Sequence, residues 1–172
     1  MNKITEIVVE IEKLKAEQKY TAAIELLEKS IVEYHSDYRL YEELADIYLF
    51  KGELEKALKS INHAISLNKE SATGCYLKGF ILLSQDKVVD AIKLLEKSNE
   101  LLWNNSEVLR NLGWAYTLKG QTEKGIIILK RALNLAPDDE LITEDLAMAL
   151  IWAWEITQWN DLLKKIGKKI MS

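Results

Sequence analysis

The sequence predicts an all-α fold: helix pairs stacked into an α-solenoid and closed at the C-terminal end by a further, capping pair of helices. Three observations predict it. Apolar residues recur at helical spacing and again every 34 residues, so Ile11, Ala45, Gly79, Gly113 and Ala147 form a column that is small in four of five places. Ala23, Ala57, Ala91 and Gly125, and also Ser30, Ala64, Ser98 and Ala132, form two more small columns. Leu14, Tyr48, Leu82, Tyr116 and Leu150 form a large one, as do Leu27, Ile61, Leu95 and Leu129. A fixed period of this length marks a unit that buries its apolar face only against its neighbours. Secondly, Asp37, Ser71, Asn105 and Asp139 stand one period apart, each with a side-chain oxygen able to accept from the free N–H groups of a helix's first turn. Thirdly, seven Gly and one Pro in 172 residues leave no room for a flexible linker, so residues 1–172 read as one domain.

In chain order, Ile4, Ile7, Ile11 and Leu14 mark one apolar helix face. Glu10 and Glu12 interrupt its flank and suit a terminal repeat, which has no neighbour on its outer side. Thr21 introduces a second helix with Ala23, Ile24, Leu27 and Ile31 inward, completing a repeat over residues 4–37. The pattern continues over 38–71, 72–105 and 106–139. Gly52 and Gly120 occupy the turn inside a pair, where a positive φ ends the first helix at low cost, and Gln18 and Asp86 fill the same column. Pro137 cannot continue a helix and stops the fourth repeat before Asp139 restarts the chain. Residues 140–172 depart from the pattern, with Trp154 in the turn column and Trp159 in a small one. Leu141 to Trp152 still reads as a helix, and Leu162, Leu163, Ile166 and Ile170 mark a face of another, giving the capping pair. Lys164, Lys165, Lys168 and Lys169 lie opposite that face and complement the helix dipole.

The stretch Ser106 to Pro137 carries a recognisable motif in Leu109, Leu112, Gly113, Tyr116, Gly125, Leu129, Ala132 and Pro137. It resembles the tetratricopeptide repeat, and four such repeats cover residues 4–139 without a gap. The resemblance implies a right-handed superhelix that binds other proteins through a concave side lined by the first helix of each pair. Some members of that family grip acidic C-termini of heat-shock chaperones with Lys, Arg and Asn. Here no Asn faces inward, and Glu42, Asp46, Glu107 and Glu144 would repel a carboxylate. The apolar inner side is closer in character to bacterial export chaperones built on the same repeat.

Composition narrows the function. A net charge of −4 supplies no basic footprint for nucleic acid. Cys75 is the only cysteine, which excludes a disulfide-stapled design and fits the reducing cytoplasm. The start of the chain lacks the features of a signal peptide, and the apolar run Leu146 to Trp154 is far short of the ~20 residues of a membrane span. No HExxH, CxxC, GxGxxG, GxxxxGK[ST] or nucleophile elbow occurs, and His35 and His63 fall in a turn and on a second helix. The sequence therefore predicts neither enzyme, metal nor cofactor.

It predicts instead an adaptor, scaffold or chaperone that holds a peptide of a partner protein. The residues placed on the inner side are Arg39, Glu42, Asp46, Leu49 and Phe50, then Tyr76, Phe80 and Leu83, then Arg110, Trp114 and Leu118, with Met148 from the cap. Phe80 and Trp114 stand one period apart and are either apolar anchors for a peptide or filling between helices. A second reading makes the chain a structural subunit or a self-associating homo-oligomer through Trp152, Trp154 and Trp159. Those rings are either buried by the closing helix or exposed as an interface.

Overall fold

The computed structural model describes the backbone of residues 3–170 and the side chains of residues 3–154, Ile156 and Thr157. Among them are nine helices and no strand. They are α1 (Lys3–Ala16), α2 (Tyr20–Glu33), α3 (Tyr38–Phe50), α4 (Leu54–Leu67), α5 (Ala72–Ser84), α6 (Val88–Leu101), α7 (Ser106–Leu118), α8 (Thr122–Leu135) and α9 (Glu140–Ile170). The first eight follow the predicted pairs. They group into two compact units, one ending at Asp86 and the other beginning at Lys87.

The junctions form for the chemical reason the sequence suggests. Asp37 accepts from Arg39 N, Ser71 from Gly74 N, Asn105 from Val108 N and Asp139 from Ile142 N, so all four predicted caps serve. Each satisfies a donor that would otherwise be orphaned, for about 1 kcal/mol. Within pairs, Gln18, Gly52, Asp86 and Gly120 all adopt positive φ, at 58°, 73°, 59° and 83°. Gly52 N donates to Leu49 O and Glu53 N to Tyr48 O, and Gly120 N and Gln121 N repeat the pattern onto Thr117 O and Tyr116 O. This double return of the backbone closes the last carbonyls of one helix and turns the chain into the next.

The columns form the core. In the first unit Ile11, Ala23, Leu27, Ala45, Ala57, Ile61 and Ala64 are fully buried. In the second unit Ala91, Leu95, Leu129 and Ala132 are too, and Ser98 is nearly so. The small column lets α7 and α8 cross closely: a Cβ on Gly113 would stand 2.8 Å from Leu129 Cγ and 3.0 Å from Gly125 O.

Two expectations fail at the C-terminal end. The capping pair is one continuous helix, α9. Trp154 replaces the residue that would take positive φ, and an aromatic residue has no route into that conformation without strain. No Gly or Pro before Gly167 offers another break. In consequence Ala147 and Leu150, although in core columns, are exposed. The helix that would cover them does not turn back.

Candidate functional site

In the first unit the polar residues predicted for the inner face are held by partners within the chain. Arg39 grips the cap of its own helix, with Nε 2.9 Å from Asp37 Oδ1 and Nη2 2.7 Å from Asp37 Oδ2. That hydrogen bond holds the Asp37 carboxyl below its ordinary value against the opposing effect of burial. Glu42 is buried and accepts from the Ser71 hydroxyl, whose oxygen in turn accepts from Gly74 N at 3.1 Å. The carboxylate of α3 thus braces the cap of α5, and burial, outweighing the Ser71 bond, raises its pKa. Asp46 lies 2.6 Å from Lys15 Nζ, which also reaches Glu12 at 2.7 Å and Glu43 at 3.0 Å. One cation therefore sits among three carboxylates between α1 and α3. Burial pushes Glu43 up to about 7, with Lys15 opposing and Glu12 adding to the rise. Burial also acts to raise Glu12, but Lys15 prevails and holds it below its ordinary value.

What remains open in the first unit is apolar. Leu49, Tyr76, Phe80 and Leu83 are half-buried. Phe50 is 69% exposed and stacks on Tyr20, with ring centroids 4.4 Å apart.

The second unit gathers its predicted residues into one place. Arg110, Trp114 and Leu118 follow at i, i+4 and i+8 along α7, and Asp145, Met148 and Trp152 at i, i+3 and i+7 along α9. Spacing of this kind puts each set on one helix face, and the two helices pack together. The Trp114 and Trp152 rings lie 5.4 Å apart at 39°, within the range of favourable aromatic pairs. Leu118 and Met148 beside them are 39% and 44% exposed. Arg110 Nε is buried without a hydrogen bond, and its ion-pair partner, Asp145 Oδ2, stands 3.6 Å away. Burial raises the Asp145 carboxyl, Arg110 opposes, and Glu144 and Asp139 add to the rise. The arrangement offers an aromatic wall and two accessible apolar side chains above a half-buried ion pair. Trp154 is 63% exposed and on a different face of α9, and the Trp159 side chain lies outside the described residues.

Sequence reasoning missed the ion-pair partners Lys15 and Asp145, a cleft in the first unit and a lysine–tyrosine contact that recurs. An open cleft of about 780 Å³ between α3 and α4 is lined by Tyr41, Tyr48, Lys56 and His63, with Lys56 Nζ 5.2 Å from the Tyr48 ring centre. Two periods later Lys124 Nζ stands 3.7 Å from the Tyr116 ring. The signal was present as a Tyr and a Lys eight residues apart in repeats two and four. Among the described residues no group of three or more His, Cys, Asp or Glu is placed to hold a metal, and no helix is long and apolar enough to cross a membrane.

Residues 38–71 and 106–139, the second and fourth repeats, match the family described as tetratricopeptide repeat. The anaphase-promoting complex subunit 7 of Dictyostelium discoideum is 30% identical over 95 residues, which are 55% of this chain but only 16% of that protein. The crystal structure of MamA is similar at a TM-score of 0.69 and 19% identity, over 94% of this chain and 97% of its own. YrrB, a tetratricopeptide repeat protein with an unusual peptide-binding site, is similar at a TM-score of 0.66 and 15% identity, over 83% and 74%. At these identities the structures speak for the fold alone. With its caps, turns and small columns each returning at the repeat period, the chain has the fold of tetratricopeptide repeat proteins, and residues 38–71 and 106–139 carry that repeat.

Proposed function

We propose that the chain is a non-enzymatic adaptor, scaffold or chaperone that binds a peptide segment of a partner protein on the face of α7 and α9 carrying Trp114 and Trp152. The observation that carries this reading is the aromatic pair flanked by exposed Leu118 and Met148. Apolar side chains of a peptide would seat against the rings and against Leu118 and Met148, while Arg110 stays with Asp145 beneath them. Phe80, Tyr76 and Leu83 form the corresponding apolar set of α5, while Arg39, Glu42 and Asp46 are occupied and leave the proposed site. A lone cysteine makes the fold independent of disulfides, which fits action in the cytoplasm. The peptide-binding site named for YrrB lends the reading support by analogy of fold.

A few aromatic anchors, less the cost of ordering a peptide, typically leave affinity near ~1 µM. Truncating a central aromatic anchor usually costs about 2 kcal/mol or more, roughly thirtyfold in affinity. The test is capture of partner proteins by wild type and by Trp114→Ala, followed by titration of the captured partner's peptide. Trp114→Ala should lose the partner while keeping its helical signal. Equal binding by both proteins would remove the site from this face.

A further inference from the structure

On α7 the residues facing its own second helix are sealed: Leu109 is 1% exposed, Tyr116 4% and Thr117 2%, and Gly113 is buried. One period later on α9 the same positions are open. Thr143 and Ala147 are exposed, Leu150 is 45% exposed, Ile151 50% and Trp154 63%. The reason is the missing turn. Residues 156–170, which by period correspond to α8, run on as part of α9 and are not folded back over its first half.

Those residues nevertheless keep much of the second-helix pattern. Leu163 falls in the column of Leu27, Ile61, Leu95 and Leu129, every one of them fully buried, and Ile166 and Ile170 follow at helical spacing. The chain thus carries an open acceptor face and, in the same helix, a segment patterned to fill such a face. We infer that residues 156–170 of one copy dock antiparallel on the 143–154 face of α9 in a second copy, in the register that α8 takes on α7.

Charge favours this occupant over an unrelated apolar helix. In an antiparallel pair the end of the second helix lies beside the start of the first. In that register Lys165 takes the place of Arg131, whose Nη2 donates to Asn104 Oδ1, and Asp138 takes the place of Asn104, so an opposite-charge pair forms between the copies where the chain already makes a polar contact. Trp159 sits at the column of Gly125, so this pair crosses at wider spacing than α7 and α8. Donor and acceptor are different patches, so the contact is heterologous and repeats from copy to copy. It involves neither Trp114 nor Trp152 and stands or falls independently of the peptide site.

The test is sedimentation of the 172-residue chain over about a hundredfold concentration range, which moves the association free energy by about 2.7 kcal/mol. Wild type should pass from monomer to dimer and beyond. An acceptor variant, Leu150→Asp with Ile151→Asp, and a donor variant, Leu163→Asp with Ile166→Asp, should each stay monomeric. An equal mixture of the two should form a dimer and stop there, because one intact donor meets one intact acceptor. A mixed chain pair carrying Ala147→Cys and Leu163→Cys, the positions of the Gly113 and Leu129 contact, should cross-link on oxidation. A monomeric wild type, a donor variant that still dimerises with itself, or a mixture that stays monomeric each overturns the proposal.

Discussion

The close crossing of α7 over α8 makes a quantitative prediction for Gly125→Ala. A Cβ at residue 125 would stand 2.6 Å from Gly113 O and 3.0 Å from Thr117 N, with the Thr117 hydroxyl closer still. Ordinary carbon-to-oxygen contacts run at roughly 3.3–3.6 Å. The Gly113 carbonyl is backbone, and the Thr117 hydroxyl is held by donating to that same oxygen at 3.0 Å. Neither neighbour is a free side-chain end that swings away, so α7 must move by several tenths of an ångström. Overpacking costs about 1–3 kcal/mol, and obstacles that are backbone put this site in the upper part, about 2–3 kcal/mol, while alanine returns about 1 kcal/mol of helix propensity over glycine. The net should be a loss of about 1–2 kcal/mol, or roughly 2–8 °C in Tm for a chain of this size. Gly113→Ala should cost less, because its nearest obstacle, at 2.8 Å, is the Leu129 side chain. Thermal melts followed by helical circular dichroism would give the order wild type, Gly113→Ala, Gly125→Ala. A Gly125→Ala protein as stable as wild type would refute the claim that close backbone approach requires glycine here.

Two further substitutions test the electrostatics and the caps. Glu43 is raised in the fold from 4.5 to about 7, so its contribution to stability is present below pH 4.5 and lost as pH rises through about 7. Glu43→Gln removes that loss, since Lys15 keeps Glu12 and Asp46. The variant should gain about 1–3 kcal/mol on wild type between pH 5 and pH 8, a discounted reading of the shift, and a stability difference that does not change with pH would contradict it. Asn105→Ala removes the acceptor of Val108 N, 3.0 Å away, and should cost about 1 kcal/mol. Urea unfolding should report that as a lower midpoint at constant slope, and an unmoved midpoint would show that water serves the cap as well.

The repeat architecture was legible because its determinants are local or translate by a constant step. A capping oxygen acts on N–H groups two or three residues ahead, so Asp37, Ser71, Asn105 and Asp139 declared themselves in one column. The turn column was legible in position, although Gln18 and Asp86 gave little sign that they would take the same positive φ as Gly52 and Gly120. Apolar columns take the same place in every repeat, and that is why Leu27, Ile61, Leu95 and Leu129 were read as core without knowing a single contact.

The charged residues were not legible on those terms. Periodicity assigned Glu42 and Asp46 to the inner face, but what a long side chain does there depends on who else can reach. Lys15 spans from α1 to Glu43 and Asp46, and Ser71 meets Glu42 only because α5 begins beside α3. Neither pair shares a column, and no translation along the sequence predicts it. The same limit hid the partner of Arg110, whose side chain is 18% exposed and faces Asp145.

Trp154 shows how one position can carry the consequence of a whole column. At Gln18, Gly52, Asp86 and Gly120 the chain reverses because each accepts a left-handed backbone, at a cost that the two returning hydrogen bonds offset. Tryptophan at the fifth such position accepts no such conformation cheaply, so α9 runs on and its inner columns stay uncovered. The exposure of Leu150 and Ile151 is therefore not a failure of the apolar pattern, which reaches through Leu163 to Ile170. It is the pattern with its reversal removed. A helix pair that cannot close on itself leaves both halves of an interface on one chain, which is the condition for copies to complete one another.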